Sequence, residues 1–265
     1  MVEVFKIALN DLVYARQKIN IAFMLGWQDI RQRYRRSKLG PFWLTISMGI
    51  MIAMIGIVFG QVLNSPMEEY LPFLSAGIIL WNCFALALMD GSNAFIESQG
   101  MIRQIDLPLS LYIVRIIWRN VIICAHNIII LPFVFLAVGW EVSWAIFWII
   151  PGFFVFLCNV FWISLTLGVL CTRFRDMPQI VNSLLQVFFY ITPILWMPNA
   201  LNPRSASLLV EPNPVYHLVQ LVRAPLLGGV PTVQNWIVSI LIACIGIIFS
   251  LYFFGKYKRR VAYWL

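Results

Sequence analysis

The sequence predicts an all-α integral membrane protein, with six transmembrane helices, an N-terminal amphipathic interfacial helix, and short re-entrant helices between spans five and six. Three observations carry that prediction. Apolar residues make up 61% of the chain and charged residues 11%, against about 45–50% and about 25% in a soluble domain. Six stretches each offer the roughly 20 mostly apolar residues that a membrane-crossing helix needs, because lipid gives the backbone no hydrogen-bond partner. The Lys and Arg residues are divided very unequally among the segments between those stretches. The chain therefore reads as an amphipathic arm over 1–41 and a membrane domain over 42–265, with spans near 42–63, 70–95, 111–138, 143–171, 178–197 and 232–254.

The arm ends in the stretch 29–43, DIRQRYRRSKLGPFW. Arg31, Arg33, Arg35, Arg36 and Lys38 crowd into it; Leu39-Gly40-Pro41 then stops the helix, and an apolar run follows with no charge until Glu68. Phe23, Trp27, Ile30 and Tyr34 recur at helical spacing on one face, and Asp29, Arg33 and Arg36 on another, with Asp29 placed to pair locally with Arg33. Such a helix lies in the headgroup plane. Its basic cluster is either an orientation anchor or a contact for an anionic head group arriving from the cytoplasm. Counted by segment, 17 of the 19 Lys and Arg fall in the arm, in or near the loops after spans two and four, and in the tail; Arg204 and Arg223 alone fall on the opposite side. Cationic segments stay cytoplasmic, so both termini are expected in the cytoplasm.

Small residues form a stripe in span one (Gly49, Ala53, Gly56, Gly60) and another in span six (Ser239, Ala243, Gly246, Ser250). Such stripes let helix backbones approach closely in lipid, within one subunit or at a seam between two. Span two ends in Asp90, Ser92, Asn93, Glu97, Ser98 and Gln99, with Asp90 standing alone as an intramembrane acid. His126, with Asn127 beside it, is expected to be a hydrogen-bonded packing residue, and Asn159 lies in span four. In span five, Gln179, Asn182, Ser183, Gln186 and Tyr190 form one polar stripe that ends at Thr192-Pro193; interhelical hydrogen bonding and a wet surface for a polar substrate both account for it. The segment 198–231 is too apolar for a solvated loop and too broken by prolines to span. Its second half turns Val215, Leu218, Val219 and Val222 one way and Tyr216, Gln220 and Arg223 the other, as in a helix that dips into the leaflet or lies flat on it. The loop 100–110, GMIRQIDLPLS, has the size and amphipathicity to dock into a partner's groove.

Several classes are excluded. The chain has no GxxxxGK[ST], GxSxG, HExxH or dinucleotide fingerprint, so it should not itself bind ATP by a P-loop. His126 and His217 lie far from each other and from cysteine, and no metal site or catalytic residue is expected. Cys83, Cys124, Cys158, Cys171 and Cys244 sit in apolar runs without a CxxC pair, as small apolar filler. The N-terminus lacks a continuous apolar core and a small-residue cleavage site, so no cleaved signal peptide is expected. A membrane enzyme acting on lipid-linked sugars is the alternative class, but Glu68, Glu69, Glu141 and Glu211 make no convincing acid/base set. Nucleic acid is not an expected partner.

Taken together, the amphipathic arm, RYRRSKLGPFW, six spans, a short loop after span two and EPNPVYHLVQLVRAPLLGG before the last span resemble ABC-2 type permeases that export polysaccharides. The likeness is greatest to O-antigen permeases of the lipopolysaccharide pathway, with capsule and teichoic acid exporters as alternatives. The resemblance implies a multi-pass protein of the bacterial inner membrane, paired with a second copy of itself and with two copies of a separate ABC ATPase. That ATPase would bind ATP and Mg; this chain would bind no cofactor. The implied cargo is an undecaprenyl-diphosphate-linked polysaccharide moved from cytoplasm to periplasm. Met101, Arg103, Gln104, Asp106 and Leu107 would then couple to the ATPase, and Tyr216, His217, Gln220 and Arg223 would form a periplasmic gate. Arg33, Arg35, Arg36 and Lys38 would meet the head group, since Arg binds phosphate with two donors at once. Gln179, Asn182, Ser183, Gln186, Phe189 and Tyr190 would line the sugar path.

Overall fold

The computed structural model describes residues 2–33, 35, 40, 42–63, 65–141, 143–200, 202, 204 and 208–265, without the side chains of Arg33 and Ala200. Among the described residues all regular structure is helical: α1 Val2–Gln17, α2 Ile19–Arg33, α3 Phe42–Val62, α4 Met67–Glu97, α5 Gln99–Gln104, α6 Leu109–Ile128, α7 Ile130–Val138, α8 Ile149–Arg173, α9 Met177–Ile191, α10 Pro214–Leu226 and α11 Val233–Trp264. A 3-10 turn, Trp144–Trp148, leads into α8. Five segments are long and apolar enough to cross a membrane: α3, α4, α6 with α7, α8 with its turn, and α11. The fifth expected span appears as α9, whose 15 residues reach about 22 Å against a hydrocarbon core of about 30 Å. It ends at Ile191, short of the expected boundary at 197. Thr192 precedes Pro193 and is extended (φ −76°, ψ 134°), because a following proline disfavours the helical region. Pro132 likewise cannot donate to the Ile128 carbonyl, and the helix breaks at Ile129 between α6 and α7. The basic tail after span six is helical as well; α11 has 32 residues, about 48 Å, and so outruns the bilayer core.

Tertiary contacts define two ends. At one, the arm, α5, the start of α6 and the C-terminus meet: Gln99 Nε2 donates to the Leu265 carbonyl, Arg173 sits over the Trp264 ring, and a Cβ at Gly255 would strike the Val4 carbonyl. At the other, the Tyr70 hydroxyl donates to the Leu195 carbonyl at 2.6 Å and Trp148 rests on Trp236. α9 runs between them. α4 is central, with 78% of its apolar window buried, whereas α3 is peripheral at 17%.

The small-residue stripes resolve largely into packing within the chain. Ser239, Ala243, Gly246 and Ser250 are buried, and a Cβ at Gly246 would enter the Trp162 ring of α8. Asn159 ties the same pair of helices: it donates to the Ser239 carbonyl at 3.2 Å and accepts from Trp162 Nε1 at 3.0 Å. On α3, Gly56 and Gly60 admit Leu71 and Met67 of α4, while Gly49 meets nothing within 4 Å.

Two carboxylates join helices here. The Arg33 side chain of the expected Asp29–Arg33 pair lies outside the described residues; Asp29 is gripped by Arg115 of α6, at 2.8 Å from Nε and 2.5 Å from Nη2. α2 docks on α6 through Ala22, Gly26 and Ile30, and a Cβ at Gly26 would stand 2.9 Å from the Arg115 carbonyl. The apolar edge that periodicity singled out is turned partly outward, with Trp27 exposed and Phe23 against Trp118. Periodicity identifies a face, but only the small side chains on α2 permit backbone approach. Asp90, the acid expected to stand alone within span two, accepts from Arg119 Nη2 and from Asn120 Nδ2, both at 2.8 Å.

Candidate functional site

α9 is amphipathic, and its two sides face different surroundings. Toward α3 and α4 it borders a groove of about 410 Å³. Trp81, Asn82 and Met89 line it from α4, and Asn182, Gln186, Phe189 and Tyr190 from α9. Aromatic rings run along this wall, with Trp81 and Phe189 at 5.5 Å between centroids and Phe189 and Tyr190 at 5.4 Å. Rings that cover apolar C–H faces, set beside amides that exchange hydrogen bonds with hydroxyls, suit a sugar chain. Toward α8 and α11 the other side of α9 borders a wholly apolar cleft of about 480 Å³, lined by Val181, Leu184 and Phe188 among others.

Four of the six residues expected along the path therefore lie on this groove. Gln179 and Ser183 are exposed outside its lining, and the Ser183 hydroxyl turns back to the Gln179 carbonyl at 3.1 Å. Trp81 and Asn82 were not singled out in the sequence, because one amide and one indole in a long apolar run leave no periodic signal.

The C-terminal end of α9 is fastened to α10. Asn213 caps α10 by accepting from the Val215 and Tyr216 amides at 3.0 and 3.3 Å, and its own Nδ2 donates to Thr192 Oγ1 at 2.9 Å. Arg223 is fully buried. Its Nη1 donates to the Pro193 carbonyl at 2.5 Å, its Nε to Gln220 at 3.0 Å, and its guanidinium lies 4.0 Å from the Phe73 centroid. His217 is also buried, held by Asn235 and by the Glu211 carbonyl at 2.8 Å each. Tyr216 and Gln220 are half-buried and bonded to each other at 3.1 Å. The face of α10 read as pointing away from its apolar side is thus largely interior. A backbone carbonyl, the Gln220 amide oxygen and an aromatic face replace part of the water a buried cation loses, while Arg223 Nη2 has no hydrogen-bond partner among the described residues.

At the arm end, α5 carries Met101, Arg103 and Gln104, and the non-helical residues after it include Asp106 and Leu107. Arg103, Gln104 and Asp106 are exposed and Met101 and Leu107 half-buried. Periodicity missed the residue that fastens this loop. Asp11 of α1 is buried and accepts from the Leu109 and Ser110 amides at 3.2 and 2.9 Å and from Lys258 Nζ at 2.7 Å. Of the expected head-group residues, Arg33 ends α2 and Arg35 is exposed, while Arg36, Lys38 and the Arg33 side chain lie outside the described residues.

Residues 22–227 match the family model described as ABC-2 type transporter. The chain is 26% identical over 241 residues to the O-antigen export system permease protein RfbA of Klebsiella pneumoniae, covering 89% of this chain and 91% of that protein. It is 22% identical over 200 residues to the protein of the same description from Myxococcus xanthus, with 74% and 76% covered. The polysialic acid transport protein KpsM of Escherichia coli is 21% identical over 225 residues, with 80% and 83% covered. The family match runs from the arm helix α2 through α10 and takes in every element around the groove, so the chain belongs to the ABC-2 type transporter family.

Proposed function

We propose that the chain is the permease subunit of an ABC transporter that exports a polysaccharide, of the O-antigen kind, across the bacterial inner membrane. The observation that carries this is the likeness to O-antigen export permeases over about nine-tenths of both chains. The aromatic and amide lining of the groove supports it.

In this reading α9 is a sixth, short crossing, which brings both termini to the cytoplasm. A second copy closes the groove, and two ATPase subunits, which hold ATP and Mg, drive the cycle. The cargo is an undecaprenyl-diphosphate-linked polysaccharide. Its sugars slide along Trp81, Asn182, Gln186, Phe189 and Tyr190 through many weak contacts. α5 and the residues up to Leu107 receive the ATPase, and α10 gates the periplasmic end through its bonds to Thr192 and Pro193. The exposed apolar residues of α2 rest on lipid while the basic run after them meets anionic head groups. Capsule export is the second reading, supported by the KpsM relative at lower identity.

The test is purification from native membranes together with depletion. An ABC ATPase is expected to copurify, and lipid-linked polysaccharide to accumulate on the cytoplasmic side when the chain is lost. Absence of both results, or modification of a lipid-linked sugar by the purified chain alone, overturns the proposal.

A further inference from the structure

We infer that Arg115 and Arg119 of α6 form a binding site for the diphosphate of a lipid-linked cargo, held in this state by the carboxylate of Asp29 from the arm. The inference rests on the export reading above and places the head-group contact on α6 instead of the basic run after α2.

The two guanidiniums lie one turn apart on one face of α6, where Cβ atoms are about 5–6 Å apart. With Asp29, Gln32, Glu97 and Ser98 they line a cavity of about 320 Å³ between α2, α4 and α6. Arg115 takes the Asp29 carboxylate with two donors, Nε at 2.8 Å and Nη2 at 2.5 Å, and Arg119 Nη1 stands 3.5 Å from the same group. That is the fork geometry with which Arg grips phosphate oxygens. Asp90 holds Arg119 from α4 at 2.8 Å, so Arg119 stays oriented without Asp29. Arg119 is 9% exposed, and its buried Nε has no hydrogen-bond partner among the described residues.

Charge decides how an anion can arrive. Asp29, Asp90 and Glu97 already face the two guanidiniums, so a further anion cannot simply join them. It has to replace Asp29. The diphosphate diester that joins a lipid to a sugar carries one charge on each phosphate, so each guanidinium can take one phosphate. Loading then frees the arm carboxylate from α6, and binding is coupled to release of this arm contact. The position suits onward movement: Glu97, Asn93, Met89, Leu86 and Asn82 recur on one face of α4, from this cavity to the groove lining, where Met89, Leu86 and Asn82 lie.

The experiment titrates the full-length protein, in nanodiscs of zwitterionic phosphatidylcholine, with a short-chain polyprenyl diphosphate. Arg115→Gln and Arg119→Gln are each expected to weaken binding about tenfold or more, the loss of a charge-assisted contact. Asp29→Asn keeps the size of the side chain but removes the competing charge, and is expected to tighten binding about threefold or more. A purely structural latch predicts unchanged or weaker binding for Asp29→Asn, and that result overturns the inference. Arg→Gln variants that bind as wild type overturn it too and leave the export reading standing. Equal affinity for inorganic pyrophosphate, or for phosphatidylglycerol, overturns the assignment to a lipid diphosphate. A wild-type protein that binds no polyprenyl diphosphate removes the inference and the lipid-diphosphate cargo together.

Discussion

Asp11→Asn is the substitution whose consequence the structure defines most sharply. The carboxylate closes the start of α6, immediately after the loop proposed to receive the ATPase, and pairs with Lys258 on α11. The Ser110 hydroxyl donates to it as well, at 2.5 Å. An asparagine retains one acceptor oxygen, enough for one of the two amides. Its NH2 then faces either the other amide or the Lys258 ammonium, donor against donor. Breaking a buried ion pair costs about 3–5 kcal/mol, and losing a helix N-cap about 1 kcal/mol. Because Lys258 is 30% exposed and regains water, about 3 kcal/mol is the working figure, which lowers the melting temperature by about 6–12 °C in a chain of this size. Lys258→Met leaves the amide and hydroxyl bonds in place and should cost about half as much. Thermal melting of detergent-purified protein, followed by loss of monodisperse material, measures both. A fall of less than 2 °C for Asp11→Asn, or a larger loss for Lys258→Met than for Asp11→Asn, refutes the reasoning.

Three other outcomes follow from the same contacts. Gly246→Ala should lower stability by about 1–3 kcal/mol, since its Cβ enters the Trp162 ring that Asn159 holds in place; melting that matches wild type means the α8–α11 approach is looser than described. Asn213→Ala should cost about 1–2 kcal/mol through the lost cap of α10, whereas Thr192→Val keeps the cap and removes only the hydroxyl that Asn213 bonds; export defective in both, with the larger stability loss only in the Asn213→Ala variant, assigns that bond to the gate. Gln186→Ala with Tyr190→Ala alters two exposed α9 side chains, so stability should stay within about 0.5 kcal/mol per site while export falls and the ATPase still copurifies; normal export would remove the groove from the path.

The sequence by itself determined what depends on local pattern. Lipid requires long apolar helical segments, so five of the six expected spans are found as segments long enough to cross, and α9 ends just before Pro193. The amides and aromatics of α9 could be placed on one helical face before any tertiary structure was known, because that spacing is a property of the helix alone. What faces each helix is a different matter. Asp11 meets Ser110 across 99 residues, Asp29 meets Arg115 across 86, and Asp90 meets Asn120 across 30; no periodicity links such positions. Each carboxylate is ordinary in its own segment and becomes a fastening only when packing removes water from it. Even the faces were ambiguous where small residues mattered, since Gly26 turns α2 toward protein while Trp27, beside it, remains exposed. Composition and hydropathy establish that this chain lives in a membrane. The ion pairs that join the arm to the spans, the burial of Arg223 and the walls of the groove were decided by the tertiary structure, because close approach and desolvation belong to pairs of helices and not to any one of them.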